Sequence, residues 1–171
     1  DSSARWLQPD SDGAGGYESL IARVADSPSA GYAVTAYDPL LVIYTAATVE
    51  RPRGSMLSNR NLVSMAFATG ELTDADAQSV FLNSGPLFHT ANFQLESLPV
   101  YVRGGTNVYI PRVDAANILR TIAEEKVTSA FLMPPTIAEI KKLNQEAQLD
   151  ISSLRPGAFA AMWGQDLPAD P

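Results

Sequence analysis

Short runs of mostly apolar residues alternate along this chain with longer segments in which apolar residues recur at helical spacing. Five such runs each predict a buried β-strand, and they lie at 40–44, 79–83, 106–110, 127–132 and 157–162. Four helices are predicted between them, at 58–70, at 88–102, from Asp114 as N-cap and from Pro135. This alternation predicts βαβ units and therefore an α/β fold, a mostly parallel sheet with helices on both faces.

The two later helices show the clearest periodicity. The apolar residues that share one face of the helix after Asp114 are Ala115, Ile118, Leu119, Ile122 and Ala123. The helix from Pro135 places Ile137, Ile140 and Leu143 on a common side. Pro99 is expected to kink the helix at 88–102, because proline has no amide hydrogen to donate.

Three regions differ in composition. Residues 1–37 form a polar N-terminal segment with a short amphipathic helix at 17–25, which ends before Pro28. Residues 38–165 carry the alternating strand and helix signals and are predicted to form one α/β unit. Residues 166–171 are predicted to be a disordered tail.

Composition narrows the class of protein. The chain has 171 residues, of which 46% are hydrophobic and 18% are charged, a globular composition. It has no cysteine, which excludes disulfides and a thiol nucleophile, and no apolar run approaches the roughly 20 residues of a membrane helix. The net charge of −7 argues against general nucleic-acid binding. A cytoplasmic location is expected.

The segments that follow the strands are the candidate site, because ligands of parallel sheets bind at the carboxyl ends of strands. Two of these segments are unusual, the hydroxyl-rich 45–53 and the Gly-Pro turn at 85–89, and they are predicted to lie along one edge. Hydroxyls and backbone N–H groups between a strand and a helix can hold phosphates, and nearby Arg51, Arg53 and Arg60 supply positive charge.

Segment 44–62 resembles the phosphate-binding loop of the adenylate-forming enzymes, the superfamily of acyl-CoA synthetases, peptide-synthetase adenylation domains and luciferases. The family pattern is Tyr-Thr-Ser-Gly-Thr-Thr-Gly-x-Pro-Lys-Gly, followed by Ser-His-x-Asn-Leu. The matching residues are Tyr44, Thr45, Thr48, Pro52, Gly54, Ser58, Asn61 and Leu62. The departures are Ala46, Ala47, Val49, Glu50, Arg53 and Asn59.

The resemblance implies that ATP is held by Thr45, Ala46, Ala47, Thr48, Arg53 and Gly54. Arg53 would supply the charge that lysine supplies in the family pattern, and its planar fork can bind phosphate through two hydrogen bonds. Glu50 opposes this, because a carboxylate near polyphosphate is repulsive. We expect the loop to bend so that Glu50 meets solvent or Arg51.

His89 is the only histidine, and it lies in Pro86-Leu87-Phe88-His89. This looks like a second family motif, in which the histidine borders the acyl pocket and the adenylate site. The resemblance implies that Arg53 and His89 are the catalytic residues. A histidine here could orient a carboxylate or shield it from water, whereas attack on ATP by a carboxylate needs no general base.

The implied reaction has two halves. A fatty or other carboxylate attacks the α-phosphate of ATP to give an acyl-adenylate and pyrophosphate, and the thiolate of coenzyme A then displaces AMP. ATP, Mg²⁺ and CoA are thus the implied cofactors and co-substrates, and a small-molecule carboxylate is the implied partner. No metal ligand is assigned to this chain, because the family's magnesium-holding glutamate lies in a motif that does not occur here.

Three further segments resemble the family, at 104–112, 127–140 and 150–155. The later Tyr-Gly-x-Thr-Glu motif and the small C-terminal domain have no counterpart in the sequence. We therefore expect a fragment of the large N-terminal domain that does not form acyl-adenylate by itself. An exposed sheet edge would also favour a homo-oligomer.

Two other classes stay open at this point. One is a degenerate, non-catalytic nucleotide-binding or interaction module of the same fold, suggested by the changes at 46, 47, 49 and 50. The other is an unrelated nucleotide-binding α/β domain. Against the latter, the chain has neither a Gly-x4-Gly-Lys-Ser/Thr loop nor a Gly-x-Gly-x-x-Gly fingerprint.

Overall fold

The computed structural model of the protein describes residues 16–28, 31, 33–46 and 51–155. Two compact units are present, residues 1–34 and residues 35–171. The predicted strand at 157–162 and the predicted tail at 166–171 lie outside the described residues.

The first unit contains the predicted amphipathic helix, α1 (Tyr17–Val24). Glu18 lies in its first turn and Arg23 in its last, the arrangement that the helix dipole favours. No residue of α1 is buried.

The second unit begins with an antiparallel hairpin of β1 (Pro39–Tyr44) and β2 (Gly54–Ser58). The prediction that the first strand belongs to the parallel sheet is wrong. The segment assigned to a loop folds back as β2 and pairs with β1, with Val42 opposite Met56. Side chains on one face of β1 stay exposed, so the apolar run reflects a β-forming edge hairpin and not a buried strand.

The predicted parallel sheet is formed by β3 (Val80–Asn83), β4 (Thr106–Tyr109) and β5 (Ser129–Ala130). Its strand order is β4-β3-β5, and both neighbours run parallel to the central strand. The α/β prediction is therefore confirmed, with three parallel strands among the described residues.

Helices cover both faces of this sheet, as predicted. They are α2 (Asn59–Leu72), a π-helical segment (Ala91–Ser97), α3 (Leu98–Val102), α4 (Ala115–Glu125) and α5 (Pro134–Ala147). Pro99 lies in the first turn of α3, just after the π-helical segment. Proline has no amide hydrogen to donate, and it stands here where the helical pattern changes from π to α.

The main core lies between the sheet and the pair α4 and α5. Alternate residues of β3 face opposite sides, so Leu82 joins this core whereas Asn83 faces the π-helical segment. The predicted apolar faces are confirmed for the residues that are fully or nearly fully buried, namely Ala115, Ile118, Leu119, Ile122, Ile137 and Ile140. Among the described residues, no helix is long and apolar enough to cross a membrane.

Substitutions in this core should cost far more stability than substitutions on exposed helix ends. Ile118 is 0% exposed, and Ile118→Ala should lower the free energy of unfolding by about 2–5 kcal/mol because it leaves a cavity. Leu72 is 85% exposed, and Leu72→Ala should change the free energy of unfolding by less than about 0.5 kcal/mol. Urea denaturation followed by circular dichroism measures both, and equal losses would contradict the assigned core.

Candidate functional site

A groove opens at the carboxyl ends of β3 and β4. The chain leaves β3 toward the π-helical segment on one face of the sheet and leaves β4 toward α4 on the other face. Two adjacent parallel strands whose connections diverge in this way define a topological switch point, the usual position of a ligand crevice in such sheets. The groove is thus where the architecture favours binding.

Two segments line this groove of about 570 Å³, residues 83–87 after β3 and residues 109–113 after β4. The prediction that segments following the strands gather at one edge is confirmed for these two. Pro86, Leu87 and Val113 make the walls mainly apolar, whereas Tyr109 and Arg112 add a hydroxyl and a guanidinium. An apolar cavity with few polar groups suits a small organic ligand.

His89 follows the groove-lining turn and is exposed. Its backbone N–H donates to the Pro86 carbonyl (3.0 Å), which closes the turn. The Ala91 backbone N–H donates to His89 Nδ1 (3.2 Å), at the start of the π-helical segment. Because Nδ1 accepts this bond, Nε2 carries the hydrogen of the neutral ring and is the nitrogen that can meet a ligand.

A buried polar cluster lies beneath the turn, and the sequence analysis missed it. Asn83 is 2% exposed, and its Nδ2 donates to the Asn92 carbonyl (3.2 Å) and to Ser97 Oγ (2.9 Å). The Gly85 backbone N–H donates to Asn83 Oδ1 (2.9 Å). The available signal was three polar residues, Asn92, Gln94 and Ser97, within a segment assigned to a helix against the sheet.

Burial shifts two ionisable groups near this cluster. Desolvation raises the pKa of the Glu96 carboxyl, in the π-helical segment, from 4.5 to about 7. Burial and the hydrogen bond with Tyr101 raise the pKa of Tyr109 to about 12, so this hydroxyl stays protonated at neutral pH. Tyr109 thus contributes a hydroxyl to the groove wall, and this hydroxyl lies 3.0 Å from Tyr101 Oη.

The proposed phosphate loop connects the two strands of the hairpin. The Thr45 backbone N–H donates to the Arg53 carbonyl (3.0 Å), and the Arg53 backbone N–H donates to Thr45 Oγ1 (3.1 Å). The Thr45 oxygen thus closes the loop, and its hydroxyl hydrogen can still be donated to another acceptor. Thr45 and Arg53 are brought together by this pairing and both are exposed.

The other predicted loop residues differ in their placement. Ala46 is exposed beside Thr45, whereas Ala47, Thr48 and Glu50 lie outside the described residues. Gly54 lies opposite Tyr44, and a Cβ at Gly54 would come within 2.9 Å of Val42 Cγ1. Glycine at 54 is therefore explained by the close packing of the hairpin.

The first backbone N–H groups of α2 donate to other groups of the same chain. The Asn59 N–H donates to the Asp38 carbonyl (3.2 Å), and the Arg60 N–H donates to the Ala36 carbonyl (2.8 Å). Ser58 and Asn61 complete a reciprocal capping box. These backbone N–H groups already donate within the chain, so the first turn of α2 does not offer them to an anion.

The predicted arrangement along one edge is wrong for the phosphate loop. It belongs to the antiparallel hairpin, whereas the Gly85–His89 turn follows a strand of the parallel sheet. The two segments are therefore not successive loops of one sheet. Of the three nearby arginines, Arg60 donates to Tyr37 Oη (2.7 Å) and lies over the Tyr37 ring.

No group of three or more histidine, aspartate or glutamate side chains that could hold a metal ion occurs among the described residues.

Comparisons with known proteins bear on this site. Residues 5–170 match the profile of the AMP-binding enzyme family. Indoleacetate–CoA ligase of Aromatoleum aromaticum is 30% identical over 139 residues, which are 81% of this chain and 27% of that enzyme. Feruloyl-CoA synthase of an Amycolatopsis species is 31% identical over 133 residues, 78% of this chain and 26% of that enzyme.

A solved structure agrees with this match. The inhibitor-bound N-terminal domain of FACL13 from Mycobacterium tuberculosis superposes with a TM-score of 0.68 at 25% identity, over 82% of this chain and 35% of that domain. The chain thus spans about a quarter of the length of the two relatives and about a third of this domain.

The raised pKa of Glu96 predicts a pH-dependent stability. The folded state holds this proton more tightly than the unfolded state, so the contribution is present below about pH 4.5 and is lost as the pH rises through about 7. Glu96→Gln should remove this decline in the free energy of unfolding, measured by urea denaturation from pH 4.5 to 8. Glu139→Gln, on the exposed side of α5, is the control, and a Glu96→Gln profile parallel to wild type would contradict the prediction.

Proposed function

We propose, since this chain belongs to the AMP-binding enzyme family, that it is part of an ATP-dependent acid–thiol ligase. The enzyme would join a small carboxylate to AMP and then pass the acyl group to the thiol of CoA. The single observation that carries this proposal is the family match over residues 5–170, which includes both the phosphate loop and the His89 turn.

The phosphate loop would act on the first half of the reaction. Charge develops on the phosphate oxygens as the carboxylate attacks, so donors held near those oxygens lower the barrier. The Thr45 hydroxyl can donate while its oxygen accepts from the Arg53 amide. Arg53 would add a fixed positive charge, and Ala46, Ala47, Thr48 and Gly54 would complete the loop around the phosphates.

The groove and His89 would act on the acyl group. The mainly apolar walls at 83–87 and 109–113 suit the body of an organic acid, and His89 Nε2 would orient its carboxylate or shield it from water. The two relatives named above act on acids that their names give as indoleacetate and ferulate. An aromatic carboxylate is therefore a candidate substrate beside a fatty acid.

A second candidate is a non-catalytic nucleotide-binding module of the same fold. The residues that favour it are the departures from the family loop at Ala46, Ala47, Val49 and Glu50. We further propose that the 171-residue chain does not form acyl-adenylate by itself, because the chain spans only 26–27% of the relatives.

Removal of the Arg53 charge tests the proposal. In the complete enzyme that carries this segment, Arg53→Ala should lower carboxylate-dependent ATP–pyrophosphate exchange by about 10²–10³-fold, because the developing phosphate charge loses its counter-charge. Arg53→Lys should retain part of the rate, since the charge is kept and the two-pronged geometry is lost.

Arg120→Ala is the matched control, because Arg120 is exposed on α4 and bonds to Asn117 of the same helix. Its exchange rate should equal that of wild type. Exchange within about threefold of wild type for Arg53→Ala would overturn the role of Arg53. Saturable ATP binding without any exchange would favour the non-catalytic module.

A further inference from the structure

The Gly85–His89 turn is fixed from below by one buried amide. Asn83 ends β3, and its side chain uses both Nδ2 hydrogens and one lone pair of Oδ1 within the protein. The two donated bonds reach the π-helical segment, and the accepted bond comes from the Gly85 backbone N–H. One side chain therefore connects the start of the turn with the segment that follows it.

The absence of a side chain at 85 makes this connection possible. A Cβ at Gly85 would lie 2.3 Å from Asn92 Oδ1 and 2.5 Å from Asn92 Cγ. Asn92 is 5% exposed, and its Oδ1 is buried without a hydrogen-bond partner among the described residues. The turn thus lies directly against the Asn92 amide, and no other residue type fits at 85 without moving one of them.

His89 is held at the far end of the same turn. Its Nδ1 accepts from the Ala91 N–H, next to Asn92, whose carbonyl accepts from Asn83. Displacement of the π-helical segment from Asn83 would therefore move the donor that sets the orientation of the imidazole.

We infer that Asn83 is a positioning residue, which holds the Gly85–His89 turn against the π-helical segment and so sets the orientation of His89, the residue that ends this turn. Its role in catalysis rests on the proposed ligase function, but the positioning itself does not. Asn83 borders the groove, but it is 2% exposed and its side-chain amide is bonded within the protein, so it acts through the turn.

His89 is the only histidine, so its ring nitrogens give one set of signals in a long-range ¹H–¹⁵N spectrum of the 171-residue chain. Wild type should show Nδ1 as a hydrogen-bond acceptor and Nε2 as the protonated nitrogen. Asn83→Ala should lose this Nδ1 signature and speed exchange of the Gly85 amide about fivefold. Asn83→Asp keeps the acceptor for Gly85 but loses both donors, so it should lose the Nδ1 signature while Gly85 stays protected.

Two further variants keep the test decisive. Gly85→Ala leaves Asn83 in place and pushes the turn from Asn92, so it should alter the same His89 signals. Asn144→Ala removes an asparagine that caps α5 through the Leu149 N–H, and it should leave them unchanged. The inference would be overturned if the His89 signals are unaltered in both Asn83→Asp and Gly85→Ala. It would also be overturned if both of these variants fail to fold while Asn144→Ala folds.

The complete enzyme tests the catalytic consequence. Asn83→Asp should lower kcat for adenylation at least tenfold and change the KM for ATP less than twofold, because the histidine and not the phosphate loop is displaced. Equal changes in both constants would overturn the role. An inactive wild-type enzyme together with altered His89 signals would reject the proposed function and leave the positioning role supported.

Discussion

Strand β3 has to satisfy neighbours on both edges and on both faces with only four residues. Its backbone pairs with β4 and β5, and at its start Val80 exchanges hydrogen bonds with Thr128 through the backbone N–H, the carbonyl and the Thr128 hydroxyl. Leu82 fills the core below α4 and α5, and Asn83 satisfies the opposite face with polar bonds. Because every direction is used, the turn that leaves this strand starts from a fixed point, and the groove is built on that point.

The parts that could be predicted from sequence are those in which one periodicity matches one environment. The spacing of Ile118 and Ile122 predicted the buried face of α4, and Asp114 marked its start, since the side chain accepts from the Asn117 amide. The hairpin could not be predicted in this way. An apolar run such as 40–44 has the same composition in a buried central strand and in a half-exposed hairpin, and only the pairing partner distinguishes them.

The candidate site likewise has one part that the sequence predicts and one part that it does not. The positions of Thr45, Arg53 and His89 were accessible because their motifs are local, whereas the hydrogen bonds that hold them depend on residues distant in sequence. Asn83 and Ser97 are 14 positions apart, and a polar residue at the end of a predicted strand is typical of any turn. The hydrogen bonds from the α2 N-terminus to the carbonyls of residues 36 and 38 could not be predicted either. Every residue has a backbone carbonyl, so residue type does not indicate which carbonyl accepts.

The two-stranded hairpin is a sheet of its own that does not pair with the three-stranded sheet. On one of its faces the side chains of Leu40, Val42, Tyr44 and Met56 are all exposed. Elements with little buried apolar area open at low free energy, independently of the global transition. An anion that binds between Thr45 and Arg53 therefore requires the state in which β1 and β2 are paired. Its apparent affinity is reduced by the fraction of molecules in which the strands are unpaired. Mutations far from the loop that tighten the strand pairing would raise affinity without a new contact to the ligand.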